Sequence, residues 1–186
     1  DHMFLDGLED VYEKGTLMGV FAERTAQSYG FTREEQDEFA IRSLTRAKKA
    51  IEDGSFKNEI TPVSYIARKV EKIVDKDEQP LSADFEKIPR LHPAFEKGGT
   101  VTAANSSSIS DGAAALVMMR ESTAEKRGLK PLARIHGHSS FAQSPDWFTT
   151  APIGAIKKLF EKVGWNSNDV DLFEINEAFA TVTMAA

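Results

Sequence analysis

The chain has 186 residues and a mass of 20.6 kDa, enough for one sizeable domain or two small ones. Hydrophobic residues make up 41% and charged residues 28%, an ordinary globular balance, and the net charge of −6 comes without a basic run, which argues against a nucleic-acid surface. There is no cysteine, which excludes disulfides, thiolate metal sites and a cysteine nucleophile from these residues, and no apolar stretch approaches the ~18 residues of a membrane span.

Residues 1–30 read as one or two helices, with Met18, Phe21, Ala22 and Ala26 at roughly helical spacing and Gly30 as a stop. Thr32 to Glu35 matches the capping box Thr-x-x-Glu, in which two otherwise orphaned N–H groups are satisfied reciprocally. The stripe Phe39, Ala40, Leu44, Ala47 and Ile51 follows, with charges opposite, and Gly54 closes the helix. Between residues 56 and 98 the texture breaks up. Short apolar pieces, Ile60 to Ile66 and Val70 to Val74, are separated by charges and by Pro62, Pro80, Pro89 and Pro93, which reads as short strands and loops. Arg68, Lys69 and Lys72 form a small basic cluster there.

From Gly98 the side chains become small and dense. Thr100 to Thr102 suit a strand, and Ala113 to Met119 suit a strand buried on both faces, with a tight serine-, Asn- and Asp-Gly-rich turn between them. Ser122 to Arg127 suits a short helix ended by Gly128, Leu132 to Ser139 a strand, and Ala142 to Thr149 a loop. Thr150 is a cap for a helix with Pro152 near its start, Gly164 at its end and the stripe Ile153, Ile156, Leu159, Phe160 and Val163. Asn168 and Asp169 turn the chain into an apolar run, Val170 to Ile175, before a last helix over Ala178 to Ala186. This β-α-β succession predicts an α/β layered domain with parallel strands, beginning near residue 98. Both ends read as interruptions of an element, so a piece of a longer polypeptide is expected.

Asn176 stands at the turn between the last strand and the last helix, where α/β proteins keep crevice chemistry. Its amide both donates and accepts, but an asparagine beside a helix start reads first as a cap. His136 and His138 would share one face of a strand, yet no carboxylate or third ligand accompanies them and no metal is expected. Asp111 and Glu177 are acid/base candidates that spacing does not pair, and Ser106 to Ser108 lack a G-x-S-x-G nucleophile elbow. Phosphate-binding glycine loops are absent.

Three blocks carry a resemblance that covers essentially the whole chain. They are Gly99-Thr100-Val101-Thr102-Ala103-Ala104-Asn105-Ser106-Ser107-Ser108-Ile109-Ser110-Asp111-Gly112-Ala113-Ala114-Ala115, then Arg127-Gly128-Leu129-Lys130-Pro131-Leu132-Ala133-Arg134-Ile135, and Asn176-Glu177-Ala178-Phe179-Ala180. With Met18-Gly19, Ala22-Glu23 and Thr32 to Asp37, they resemble the thiolase family of acyl-CoA acetyltransferases. The resemblance implies a layered α-β-α-β-α fold, here incomplete, with an α+β insertion domain. It assigns residues 1–98 to the insertion, with CoA-binding and oligomer contacts, residues 99–120 to the end of the N-terminal half, and residues 121–186 to the start of the C-terminal half.

It also implies roles. Asn176 matches the asparagine that holds a water at an oxyanion hole, Ser107 a serine that contacts the CoA pantetheine, and Ala103 and Phe95 line the same tunnel. Met18, Phe148 and Phe179 match residues near the acyl end. Substrates would be acetyl-CoA or acyl-CoA and CoA, with no resident cofactor and no metal, in a soluble, cytoplasmic homodimer or homotetramer that binds neither nucleic acid nor membrane. The family's nucleophilic cysteine, acid/base cysteine and Gly-His-Pro histidine are not among these residues, so this piece by itself is expected to be inactive. Leu17 stands where several relatives carry histidine. Gln79-Pro80-Leu81 replaces a Pro-Arg that could meet the nucleotide phosphates, leaving Lys69 or Lys72 as substitutes. The competing readings are a non-catalytic acyl-CoA or lipid-binding relative and an excised insertion and assembly module.

Overall fold

Helix α1, Met18–Tyr29, forms because apolar and small residues recur on one side of it, and Phe21, Ala22, Thr25 and Ala26 are all buried. It stops at Gly30, whose φ of 71° suits a residue without a Cβ. Helix α2, Arg33–Asp53, starts on the capping box expected from Thr32 and Glu35, with both hydrogen bonds present, and ends at Gly54. The computed structural model describes residues 2–186.

The short strands expected in the middle of the first half are formed, and the structure pairs them as a hairpin. Strand β1, Val63–Ala67, pairs antiparallel with β2, Val70–Val74, in a two-stranded sheet with Ala67 opposite Val70. Arg68 and Lys69 make its turn, both at positive φ (50° and 66°), the handedness that two-residue hairpin loops require. The short helix α3, Glu78–Ser82, leads the chain back toward α2.

The core is assembled between α1, the last helix α6 (Ala180–Ala185) and the segment around Val101. Ala22, Val101, Phe179 and Val182 form its centre, with Met18, Phe95 and Ala178 packed against it. Burying an aromatic such as Phe21, which meets Phe148 edge-on at 5.9 Å, contributes roughly 2–3 kcal/mol. α6 begins at Ala180, two residues later than the sequence indicates, because residues 178–180 are occupied in pairing with 105–107.

The expected strands of the second half are not formed. Val101 and Thr102 are buried and Thr100 is half-buried, but their N–H groups go to side chains instead of a neighbouring strand: Thr100 and Val101 donate to Glu23, and Thr102 donates to Asn105. Ala113 to Met119, Leu132 to Ser139 and Val170 to Ile175 run outside any ladder, and Leu116 (84%), Val117 (90%), Leu132 (105%) and Leu172 (89%) are among the most exposed side chains. A strand is held by the row of hydrogen bonds to its neighbour, and none of these segments meets one among the described residues.

The helices of this half do form. α4 is Glu121–Lys126, followed by Gly128 at φ 65°. α5 is Ala151–Val163, closed by Gly164. Thr150 makes no capping bond; it ends a 3-10 turn, Pro145–Thr150, where a loop is expected. α5 lies against residues 137–141: Lys158 and Lys162 donate to the carbonyls of Ser140 and His138, and Ser139 donates to that of Ala155. The apolar stripe of α2 is also modified by packing, since its fully buried residues are Gln36, Asp37 and Ala40 while Phe39 and Leu44 are half-buried.

Candidate functional site

A buried polar network holds the site's floor. Glu23, on the core side of α1, accepts from Thr100 N at 2.8 and 2.9 Å, Thr100 Oγ1 at 3.0 Å and Val101 N at 2.7 Å. Gly99 makes room for that carboxylate, because a Cβ there would lie 2.2 Å from Glu23 Oε1. Asn105 links the next layer: its Oδ1 accepts from Thr102 N at 2.7 Å, and its Nδ2 donates to Asp37 Oδ1 and Thr100 O, each at 3.1 Å. Arg33 completes the chain, donating to Asp37 at 2.7 Å and to the Ile88 carbonyl at 3.0 Å. Two helices of the first half thereby fix residues 100–106 in place.

That fixed segment then docks the second half. Asn105 O accepts from Ala180 N at 2.8 Å, Ser107 N donates to Ala178 O at 2.9 Å, and Ser106 and Phe179 form an antiparallel bridge. The junction places Ala103, Ser107 and Asn176 on one groove of about 530 Å³, residues separated widely in the chain. The α2 residues Phe39, Ser43 and Leu44 form one wall, and Gln79, Pro80, Asp84 and Lys87 lie on another. Mixed apolar walls with a few polar groups suit a long, partly apolar ligand.

Asn176 is exposed in this groove and is not a helix cap: the cap position of α6 is Phe179, which contributes no side-chain bond. Phe179 points instead into the core, where it meets Phe95 edge-on at 6.0 Å beside Met18. Phe95 packs over Gly19, whose missing side chain is required there, since a Cβ would fall 2.2 Å from the ring. Phe148 is not on the groove; it lies in the 3-10 turn, against Phe21 of α1. Asp111 is exposed in the unpaired segment, and Glu177 accepts from Ser43.

The cation lining the groove is Lys87, paired with Asp84 at 3.3 Å, whereas Lys69 and Lys72 stand on the hairpin and do not line it. The hydrogen bond from Lys87 holds the Asp84 carboxyl below its ordinary value. His136 packs beside Trp165 at 5.2 Å, and no group of three His, Cys, Asp or Glu converges on a metal position among the described residues. No described helix is long and apolar enough to cross a membrane.

Sequence reasoning missed Glu23, Asp37, Asn105, Ser43 and Lys87. A signal was available for Glu23, a carboxylate within the apolar face formed by Phe21, Ala22 and Ala26. The others are tied to the site by contacts that spacing does not reveal, such as Asn105 with Asp37 across 68 positions and Ser43 with Glu177 across 134.

The family described as "Thiolase, N-terminal domain" matches residues 1–122, and "Thiolase, C-terminal domain" matches residues 129–186. The chain is 48% identical over 187 aligned residues to a probable acetyl-CoA acetyltransferase of Dictyostelium discoideum, covering 100% of this chain and 45% of the relative. It is 47% identical to an acetyl-CoA acetyltransferase of Thiocystis violacea, again over 100% of this chain and 47% of that protein. The crystal structure of the Bacillus anthracis acetyl-CoA acetyltransferase superposes with a TM-score of 0.91 at 47% identity, over 96% of this chain and 45% of that one. That of Syntrophomonas wolfei gives 0.87 at 38% identity, over 99% and 46%. The chain thus spans a little under half the length of the relatives it matches, and the incomplete thiolase fold expected from the sequence is the fold it has. By sequence along its whole length and by superposition, the chain belongs to the thiolase family.

Proposed function

We propose that these residues form the CoA-thioester groove of an acetyl-CoA acetyltransferase and supply one of its oxyanion-hole groups, Asn176. The observation that carries the reading is the convergence of Ala103, Ser107 and Asn176 on one groove. The reaction is the Claisen condensation of two acetyl-CoA molecules to acetoacetyl-CoA and CoA, or its thiolytic reverse. In the forward direction an enzyme thiolate takes the acetyl group of the first substrate, and CoA leaves as its thiol with a proton from the protonated histidine that had activated that cysteine. The second substrate loses a proton from its methyl group to the acid/base cysteine, and negative charge moves to its thioester oxygen. The resulting carbon nucleophile attacks the acetyl-enzyme carbonyl, and the enzyme sulfur is expelled. Asn176, through a water, donates to the oxygen that carries the enolate charge. Such a donor is worth about 3 kcal/mol of barrier, near a hundredfold in rate.

The thiolates and the histidine belong, in this reading, to other parts of the longer polypeptide. Ser107 and Ala103 meet the pantetheine arm; Phe95, Met18 and Phe179, packed in the core behind the groove, and Phe148, against Phe21, act on the tunnel and the acyl end through that packing. Residues 1–98 act as the insertion domain, residues 99–120 close the N-terminal half and residues 121–186 open the C-terminal half. The enzyme is a cytoplasmic homodimer or homotetramer without metal or resident cofactor. Exposed Ile66 (78%) and Ile73 (64%) on the hairpin support a subunit contact there.

The test uses the full-length protein with labelled acetyl-CoA. Acetyl-enzyme is expected, and its absence would instead favour a non-catalytic acyl-CoA-binding relative. Asn176→Ala is expected to slow condensation about a hundredfold while leaving acetylation of the enzyme comparatively intact. Equal loss of both steps would contradict the assigned role.

A further inference from the structure

We propose that Ser43 of α2 is a positioning residue for this reaction, acting on Asn176 through the carboxylate of Glu177; the proposal rests on the oxyanion-hole reading of Asn176. The chain after Asn176 is well held, by Ala178 O accepting from Ser107 N and Ala180 N donating to Asn105 O. A side-chain tether adds to this hold. Ser43 Oγ donates to Glu177 Oε2 at 2.5 Å, across 134 positions of sequence, and both residues line the groove together with Asn176.

Ser43 is a firm anchor because α2 is itself fixed. The capping box holds its first turn, Arg33 reaches the Ile88 carbonyl, and Asp37 receives Asn105. The bond to Glu177 has a second consequence. It ties the Glu177 carboxylate to the α2 wall of the groove in which, on this reading, enolate charge develops. A released carboxylate would compete for the Asn176 amide donors and oppose that charge. The bond is exposed, so losing it should hardly alter folding stability. Activity is the sensitive reporter, since small displacements of a positioned group cost rate disproportionately.

The experiment compares Ser43→Ala and Ser43→Thr in the full-length protein, measuring acetylation of the enzyme, condensation kcat, KM for acetyl-CoA and melting temperature. Ser43→Ala is expected to lower condensation kcat about five- to tenfold, with KM, acetylation rate and melting temperature close to the unsubstituted protein. Ser43→Thr keeps the hydroxyl and is expected to restore the rate. Unchanged kcat in Ser43→Ala, an effect confined to KM, equal slowing of acetylation and condensation, or failure of Ser43→Thr to restore activity would each overturn the proposal. Failure of the unsubstituted protein to form acetyl-enzyme overturns the underlying reading, and the proposal with it; normal acetylation and condensation with an inert Ser43 overturns the proposal alone.

Discussion

Replacing Glu23 by Gln perturbs the contact that joins α1 to the segment beneath the groove while leaving side-chain volume almost unchanged. In the native arrangement Oε1 accepts from Thr100 N and Val101 N, and Oε2 accepts from Thr100 N and Thr100 Oγ1. The residue is 7% exposed, so water cannot stand in for a missing partner. A glutamine fits best with its oxygen at the Oε1 position, which keeps the Val101 bond. Its NH₂ then faces the Thr100 N–H, donor against donor, and the Thr100 hydroxyl must turn to accept. Bonds to a charged acceptor are worth about 1 kcal/mol more than neutral ones, so losing that assistance across this set costs roughly 2–3 kcal/mol. Glu23→Ala leaves buried N–H groups without an acceptor and should cost about 3–5 kcal/mol. Urea unfolding of the full-length protein reads this as a lower midpoint at constant slope. A midpoint for Glu23→Gln equal to that of the unsubstituted protein would show that the carboxylate charge does not hold this junction together.

Gly19→Ala should destabilise by about 1–3 kcal/mol, because its methyl would meet the Phe95 ring and force repacking beside Met18 and Phe179; thermal unfolding checks this, and an unchanged melting temperature would count against it. Thr25 and Thr149 share a buried hydroxyl contact of 2.6 Å, so Thr25→Val or Thr149→Val alone should cost about 1–2 kcal/mol. The double substitution should cost less than the sum, and strict additivity would deny the coupling. Asp84 ionises below its ordinary value through its bond to Lys87, so this pair contributes stability above the usual carboxylate range and loses it as pH falls through the lowered folded value. Because both side chains are largely in water the effect on stability is small, and the direct check is an NMR titration in which Lys87→Met brings the Asp84 midpoint back up.

The sequence alone determined what depends on neighbours a few positions apart. The Thr32–Glu35 capping box, the glycine stops at Gly30, Gly54 and Gly164 and the short strands near Ile60 to Ile66 and at Val70 to Val74 follow from local spacing and backbone preference, and all are present. Family membership was legible for a related reason: the Asn176-Glu177-Ala178-Phe179-Ala180 block and the run from Gly99 to Ala115 are contiguous in the chain. Tertiary structure alone decided where partners come from far away. Val101 is buried because Glu23, 78 positions earlier, accepts its N–H, whereas the equally apolar Leu116 and Leu172 stand exposed because no neighbouring strand meets them among the described residues. Asn176 likewise reads from sequence as a cap, and the groove-facing position it takes follows from the docking of 178–180 onto 105–107. A helix closes its hydrogen bonds within its own turns, but a strand, a buried carboxylate or a site residue acquires its environment only when distant segments meet.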